Sequence, residues 1–317
     1  MKKLIAVLCV MLMLVSMTAC GAADDGKYVI GICQQMTHPA LDAATQGFKD
    51  ALIAQLGEEN LTFKPQDAGG EQVNCTTIMD GFVAENVDLI LANATWPLQA
   101  AASATSTIPV LGTSITDYAT ALNITDWNGT VGGNISGTSD LAPLDQQAAM
   151  IKELFPDTET VGLLFCSAEP NSVYQVTEVA RYLQEMGIAS QTFAFADANE
   201  LPSVTQTACD NSDVIYIPTD NTAATYTENI ANVVIPAGVP VICGESNVCK
   251  GCGVATLSID YYDLGYATGL MAAKILKGEA DIATMPVKFA PQVTKMYNAA
   301  NCETLNIQIP EGYAPVE

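Results

Sequence analysis

The stretch Tyr28-Val-Ile-Gly-Ile-Cys-Gln34 is an unbroken apolar run, and Val161-Gly-Leu-Leu-Phe-Cys-Ser167 repeats its pattern further along the chain. An apolar run of this length, closed by polar residues, marks a strand covered on both faces. Three more pairs follow in the same order. Leu61-Thr-Phe-Lys-Pro-Gln-Asp-Ala68 is echoed by Gln191-Thr-Phe-Ala-Phe-Ala-Asp-Ala198, Val87-Asp-Leu-Ile-Leu-Ala-Asn-Ala-Thr95 by Ser212-Asp-Val-Ile-Tyr-Ile-Pro-Thr-Asp220, and Ile108-Pro-Val-Leu-Gly-Thr-Ser114 by Val239-Pro-Val-Ile-Cys-Gly-Glu-Ser246. The offsets between partners stay between 125 and 133 residues. Order and spacing together read as a duplication, two structural copies in one chain.

Helical patterns fill the gaps between strands. Residues 39–56 carry Leu41, Ala44, Phe48 and Leu52 at helical spacing, with Pro39 suited to a first turn. Residues 72–86, 98–106, 142–155, 171–186 and 222–237 read similarly. Apolar strands alternating with helices predict parallel sheets covered on both faces, so each half is expected to be a doubly wound α/β lobe. The segment Ile135-Ser-Gly-Thr-Ser-Asp140 is rich in small polar residues and reads as a hinge. After a further strand at 254–260, a helix at 262–277 and an apolar stretch at 285–289 imply a tail that crosses back, giving a three-strand hinge with a ligand cleft between the lobes. The expected first lobe is 28–136 plus 261–281, and the second is 137–260 plus 282–317.

Ahead of the repeat, Met1-Lys-Lys3, an apolar run from Leu4 to Val15 and small residues before Cys20 describe a secretory signal over 1–19. The run falls short of the roughly twenty residues that span a bilayer as a helix. Met17-Thr-Ala-Cys20 resembles the bacterial lipobox, which implies acylation of Cys20 and a short linker, 20–27, from the membrane. The expected location is extracytoplasmic, tethered through a lipid anchor.

The chain has 317 residues and a net charge of −23. Lys2 and Lys3 lie in the signal, so the mature part is more acidic still. Such a charge repels polyanions, and no nucleic-acid partner is expected. Cys33, Cys166 and Cys243 sit in strand-like runs, where a thiol behaves as a small hydrophobe. Cys249-Lys-Gly-Cys252 is a lone CxxC whose alternatives are inert thiols or a local disulfide, another disulfide pairing, or metal or redox work. With the chain's one histidine, His38, far away in sequence, no metal site is expected.

In open parallel sheets, ligands bind beyond the carboxyl ends of the strands. In the first half those ends are Gln34, Gln35, Thr95, Trp96, Thr113 and Ser114. In the second they are Ser167, Glu169, Thr219, Asp220, Asn221, Glu245 and Ser246. The same residue types also favour loops and helix starts. As a ligand set, the hydroxyls and amide of Ser167-Ala-Glu-Pro-Asn-Ser172 suit an anion at a helix start. Asp220 and Glu245 suit an ammonium, and Trp96 suits an apolar side chain. Together they suggest a zwitterion such as an amino acid. No nucleophile elbow, phosphate loop or HExxH helix is present, so no enzyme activity and no cofactor are expected.

Four stretches carry a family likeness: Ile30-Gly-Ile-Cys-Gln34 followed by His38-Pro-Ala-Leu-Asp42, Ser167-Ala-Glu-Pro-Asn-Ser172, Pro218-Thr-Asp-Asn221, and Ser258-Ile-Asp-Tyr-Tyr-Asp-Leu-Gly265 with its helix ending at Gly278. Over about 28–297 the chain resembles the substrate-binding lipoproteins of ABC importers with the type I periplasmic-binding-protein fold, within a subgroup that includes tryptophan and tyrosine binders. The resemblance implies capture of an aromatic or branched amino acid and delivery to a permease and ATPase complex, without chemistry on the ligand. A sensor role, presenting ligand to a membrane receptor, is the alternative. By similarity, Gln34, Thr95, Ser167, Asn171, Ser172, Asp220, Asn221, Glu245 and Asp260 are the leading contacts. Trp96, Cys249 and Cys252 depart from the family pattern.

Overall fold

A computed structural model describes residues 26–290 and 292–316. The expected signal, the acylation site Cys20 and most of the linker lie outside the described residues.

Two sheets form. The first contains β1 (Tyr28–Gln34), β2 (Leu61–Asp67), β3 (Leu89–Asn93), β4 (Val110–Ile115), β5 (Ile135–Ser139) and the short β11 (Lys288–Phe289). Their order across the sheet is β11-β5-β4-β3-β1-β2, all parallel. The second contains β6 (Thr160–Cys166), β7 (Ala189–Phe195), β8 (Val214–Ile217), β9 (Val241–Cys243), β10 (Ala255–Ser258), β12 (Thr294–Tyr297) and β13 (Ala314–Pro315). Their order is β13-β12-β10-β9-β8-β6-β7, with β12 antiparallel to β10. The eight strands of the sequence repeat are β1 to β4 and β6 to β9, in matching positions. Central strands such as β3 and β8 are buried along their whole length, as a sheet covered on both faces demands.

The chain passes between the sheets three times: between Ser139 and Leu144, between Ser258 and Tyr261, and between Phe289 and Thr294. These crossings shift the expected boundaries at 136/137 and 281/282. Of the segment read as hinge, Ile135 to Asp140, Ile135–Ser139 is a buried strand of the first sheet, and only from Asp140 does the chain leave it. Its small polar residues satisfy neighbours that an apolar strand could not. Ser136 Oγ donates to the Met285 carbonyl (2.9 Å), and Thr138 Oγ1 lies 2.7 Å from Thr268 Oγ1. Likewise Lys288–Phe289 extends the first sheet, so the last crossing follows it.

The helix Tyr261–Leu276 returns to the first lobe and packs along the helix Pro39–Leu56. Glycines set this approach. A Cβ on Gly265 would overlap the Ala44 carbonyl, and one on Gly47 the Tyr262 carbonyl. Close contact lets Phe48, Leu52, Met271 and Ala272 share one apolar cluster with β1, β3 and β4. Each large apolar side chain fully buried there contributes about 1.5–3 kcal/mol. The helix that follows the second crossing is therefore fixed to the first lobe, and the three connections join the two lobes as a hinge.

Candidate ligand-binding site

The carboxyl ends of the two sets of strands face each other across the gap between lobes, and a cavity of about 10 Å³ is enclosed there. Its walls are His38, Ala40, Leu41 and Tyr261 from the first lobe, Asp140 from a crossing, and Thr219, Asp220, Asn221, Ala224 and Glu245 from the second lobe. No Lys or Arg lines it. Four of the sequence-derived candidates, Thr219, Asp220, Asn221 and Glu245, meet here. Asp140 and Tyr261 are additions, and both sit at crossings.

Each second-lobe carboxylate is held by a helix start. Asp220 caps the helix Asn221–Thr225, accepting from Ala223 N (2.8 Å) and, across to the end of β6, from Cys166 N (2.7 Å). Glu245 caps Ser246–Cys252, accepting from Val248 N (2.5 Å) and Asn247 N (2.7 Å). Glu169 is completely buried and is not exposed to the cavity. Its oxygens accept from Asn221 N (3.0 Å) and Nδ2 (2.6 Å) and from Thr222 N (2.9 Å) and Oγ1 (2.8 Å). Glu169 thus braces the loop that carries Asp220 and Asn221, and its carboxylate is saturated by that work.

Asp140 differs from these three. Tyr261 OH donates to its Oδ2 (3.1 Å), while Oδ1 is buried without a partner. Burial pushes its carboxyl up to about 6. Burial does the same to Glu245, to about 7, and to Asp220, also to about 7, where the neighbouring Glu169 adds repulsion. Three carboxylates with raised proton affinity around one cavity form an acidic pole whose charge no basic side chain in the wall offsets. His38, at the start of Pro39–Leu56, lies on the opposite wall; burial holds its imidazole below the usual range.

The remaining candidates lie elsewhere. Gln34 is tied within the first lobe, donating to Met36 O (3.0 Å) and Asp42 Oδ1 (2.7 Å) and accepting from Thr45 Oγ1 (2.7 Å). Thr113 Oγ1 lies 3.3 Å from Thr138 Oγ1, beneath the sheet end rather than at the cavity. Thr95 is buried in the first turn of its helix. Trp96 lines a separate groove of about 350 Å³ with Gln72, Val73, Thr76 and Gln99, between the first turns of two first-lobe helices, Gln72–Glu85 and Thr95–Ala104. Its backbone N–H donates to Gln35 Oε1 (3.2 Å), and its half-buried ring packs against the first-lobe core. In the second lobe Ser167 is exposed and donates to Phe195 O (3.2 Å). Asn171 donates to Thr219 O (3.0 Å), leaving its Oδ1 buried and unpartnered, and Ser172 is buried beside it. Asp260 is exposed, caps Tyr261–Leu276 and borders a hinge-side groove of about 460 Å³. That groove shares Ala40 and Tyr261 with the cavity.

All eight cysteines among the described residues are free and buried, including Cys249 and Cys252 in their short helix. Among the described residues, no group of three or more His, Cys, Asp or Glu side chains is placed to hold a metal ion.

The family model described as ABC transporter substrate binding protein matches residues 29–314. A tyrosine-binding protein of Clostridioides difficile (strain R20291) is 29% identical over 281 residues, covering 88% of this chain and 81% of that protein. Among solved structures, an ABC domain from Streptococcus pneumoniae in complex with L-Trp is 32% identical, with a TM-score of 0.86, covering 91% of this chain and 99% of that one. The ligand-free, open structure of a substrate binding protein with adhesive properties from Clostridium difficile is 31% identical with a TM-score of 0.71, covering 92% and 99%. In this structure the lobes touch across the cleft, His38 Nε2 lying 3.2 Å from Asn221 Oδ1.

Proposed function

The chain belongs to the family of ABC transporter substrate binding proteins, and on that premise we propose that its cleft captures an amino acid by the ammonium group, preferring an aromatic one, and delivers it to a membrane permease. The family is extracytoplasmic, and no helix among the described residues is long and apolar enough to cross a membrane. The reading extends to a lipid tether at Cys20, supported by its Met-Thr-Ala-Cys context in the sequence.

One observation carries the ligand class. Asp140 is buried with Oδ1 unpartnered, in a cavity whose wall holds two further carboxylates and no Lys or Arg. A buried carboxylate is costly unless a cation or hydrogen-bond donors meet it. An ammonium brings one positive charge and three N–H donors. The tyrosine and L-Trp named for the relatives each carry that group, and they support an aromatic preference. The enclosed space, about 10 Å³, is that of about one water, so an amino acid enters only when the lobes part at the three crossings and close again around it.

The test is a thermal-shift screen of the twenty amino acids. Aromatic members at a hundred times their Kd are expected to stabilise the fold by about 2.7 kcal/mol. No response to any of the twenty would overturn the assignment. Mass spectrometry of the released ligand is expected to show it unchanged.

A further inference from the structure

We propose that His38 is the specificity-determining acceptor of the cleft, taking a ligand N–H at Nδ1 while its Nε2–H donates across the gap to Asn221. The proposal rests on the amino-acid reading above and assigns a role to a residue outside the acidic pole.

Hydrogen-bond bookkeeping fixes the direction of each bond. Asn221 Nδ2 is committed to Glu169 Oε2 at 2.6 Å, and the Asn221 backbone N–H donates to the same oxygen at 3.0 Å. That clamp leaves Asn221 Oδ1 as the atom facing His38, 3.2 Å from Nε2. An amide oxygen only accepts, so Nε2 carries the hydrogen. In a neutral imidazole the lone pair then sits on Nδ1. Nδ1 is buried with no partner, in a side chain that is 6% exposed. Burial disfavours the protonated ring and keeps that lone pair available. The same cavity presents Asp140 Oδ1, also an unpartnered acceptor. A carboxylate placed between two acceptors would be repelled by both. An ammonium satisfies both at once.

The geometry also ties recognition to closure. His38 belongs to the first lobe and Asn221 to the second, so their bond exists only when the lobes are together. A second side-chain contact across the gap, Gln175 Nε2 to Thr116 Oγ1, is longer at 3.5 Å. A ligand N–H on Nδ1 polarises the ring and strengthens the donor at Nε2. One imidazole therefore senses the ligand on one nitrogen and latches the lobes with the other.

Two measurements test this on the untagged full chain, with L-tyrosine and N,N-dimethyl-L-tyrosine as probes. Both probes are zwitterions with a positively charged amine, but the second has one N–H on it where the first has three. Titration calorimetry is expected to show wild type preferring L-tyrosine by about tenfold or more, and His38→Leu narrowing that ratio by about tenfold, since losing the Asn221 bond weakens both probes alike while losing the Nδ1 acceptor removes the advantage of the additional N–H groups. His38 is the chain's one histidine, so a long-range 1H–15N spectrum reports its tautomer without mutation. The L-tyrosine complex is expected to show a neutral ring with its proton on Nε2 and an Nδ1 signal displaced on ligand addition. A proton on Nδ1, a charged ring in the complex, or an unchanged preference in a folded His38→Leu would overturn the proposal while leaving the amino-acid reading intact. Failure of wild type to bind any amino acid would remove that reading, and this proposal with it.

Discussion

Matching strands in the two lobes lead into helices that begin on different residues. After the first strand of each lobe the helix starts at His38 in one and Glu169 in the other; after the third, at Ala94 and Asp220; after the fourth, at Asp117 and Glu245. In the first lobe neither His38 nor Ala94 caps its helix with a side chain, and Ala94 adopts a positive φ of 87°. In the second, Asp220 and Glu245 cap while bordering the cavity, and Glu169 braces the loop between them. Duplication has copied the scaffold and left the chemistry free to diverge. The second lobe carries most of the acidic pole, the crossing adds Asp140, and the first lobe faces them with a neutral imidazole and an apolar wall.

Breaking the brace on the acidic side should have the largest effect. Glu169→Ala leaves four buried or part-buried donors of Asn221 and Thr222 without their acceptor, and unsatisfied buried groups cost about 1–3 kcal/mol each. Urea denaturation is expected to show a loss of about 3 kcal/mol or more, together with loss of ligand binding. The equivalent change in the first lobe, His38→Ala, should cost far less stability, because His38 braces no loop of its own lobe.

A medium effect should separate the lobes by pH. The folded-state affinities of Asp140, Asp220 and Glu245 for protons are raised, to about 6, 7 and 7. A raised carboxyl contributes stability that is present below its unfolded value and is lost as pH rises through its folded one. In the free protein these groups therefore favour the fold near pH 4 and cease to help by about pH 7. His38, whose value is lowered, has the opposite sign and loses its contribution as pH falls through it. An ammonium ligand needs the carboxylates charged, so the ligand-induced gain in Tm is expected to grow from about pH 5 to about pH 8 while the ligand-free Tm falls. Equal ligand-induced gains at both pH values would contradict the acidic pole. The smallest effect belongs to Trp96, which lines a groove separate from the cavity: Trp96→Ala should change ligand Kd by less than about twofold.

The repeated strands were legible because each is a continuous apolar run, and their order placed two lobes and a cleft. β5 was not, since Ser136, Gly137, Thr138 and Ser139 look like a linker until their hydroxyls find partners in other elements. Mistaking that strand for hinge hid Asp140 as the residue at its carboxyl end. Short helices such as Tyr118–Leu122 and Ser246–Cys252 hold too little of a helical period to show in sequence. At the candidate site, position beyond a strand end led to Thr219, Asp220, Asn221 and Glu245, which line the cavity. The same rule also drew in Gln34, Thr113 and Trp96, because it locates a residue without saying where its hydrogen bonds go.

The central claim is that the pole around Asp140 holds an ammonium, and calorimetry near neutral pH tests it most directly. L-tyrosine and its deaminated counterpart, 3-(4-hydroxyphenyl)propanoate, would be titrated into wild type and Asp140→Asn. Expected are tight binding of L-tyrosine to wild type, a loss of about a hundredfold in Asp140→Asn, and no measurable binding of the deaminated acid. Deaminated acid binding as tightly as L-tyrosine, unaffected by the substitution, would contradict the claim.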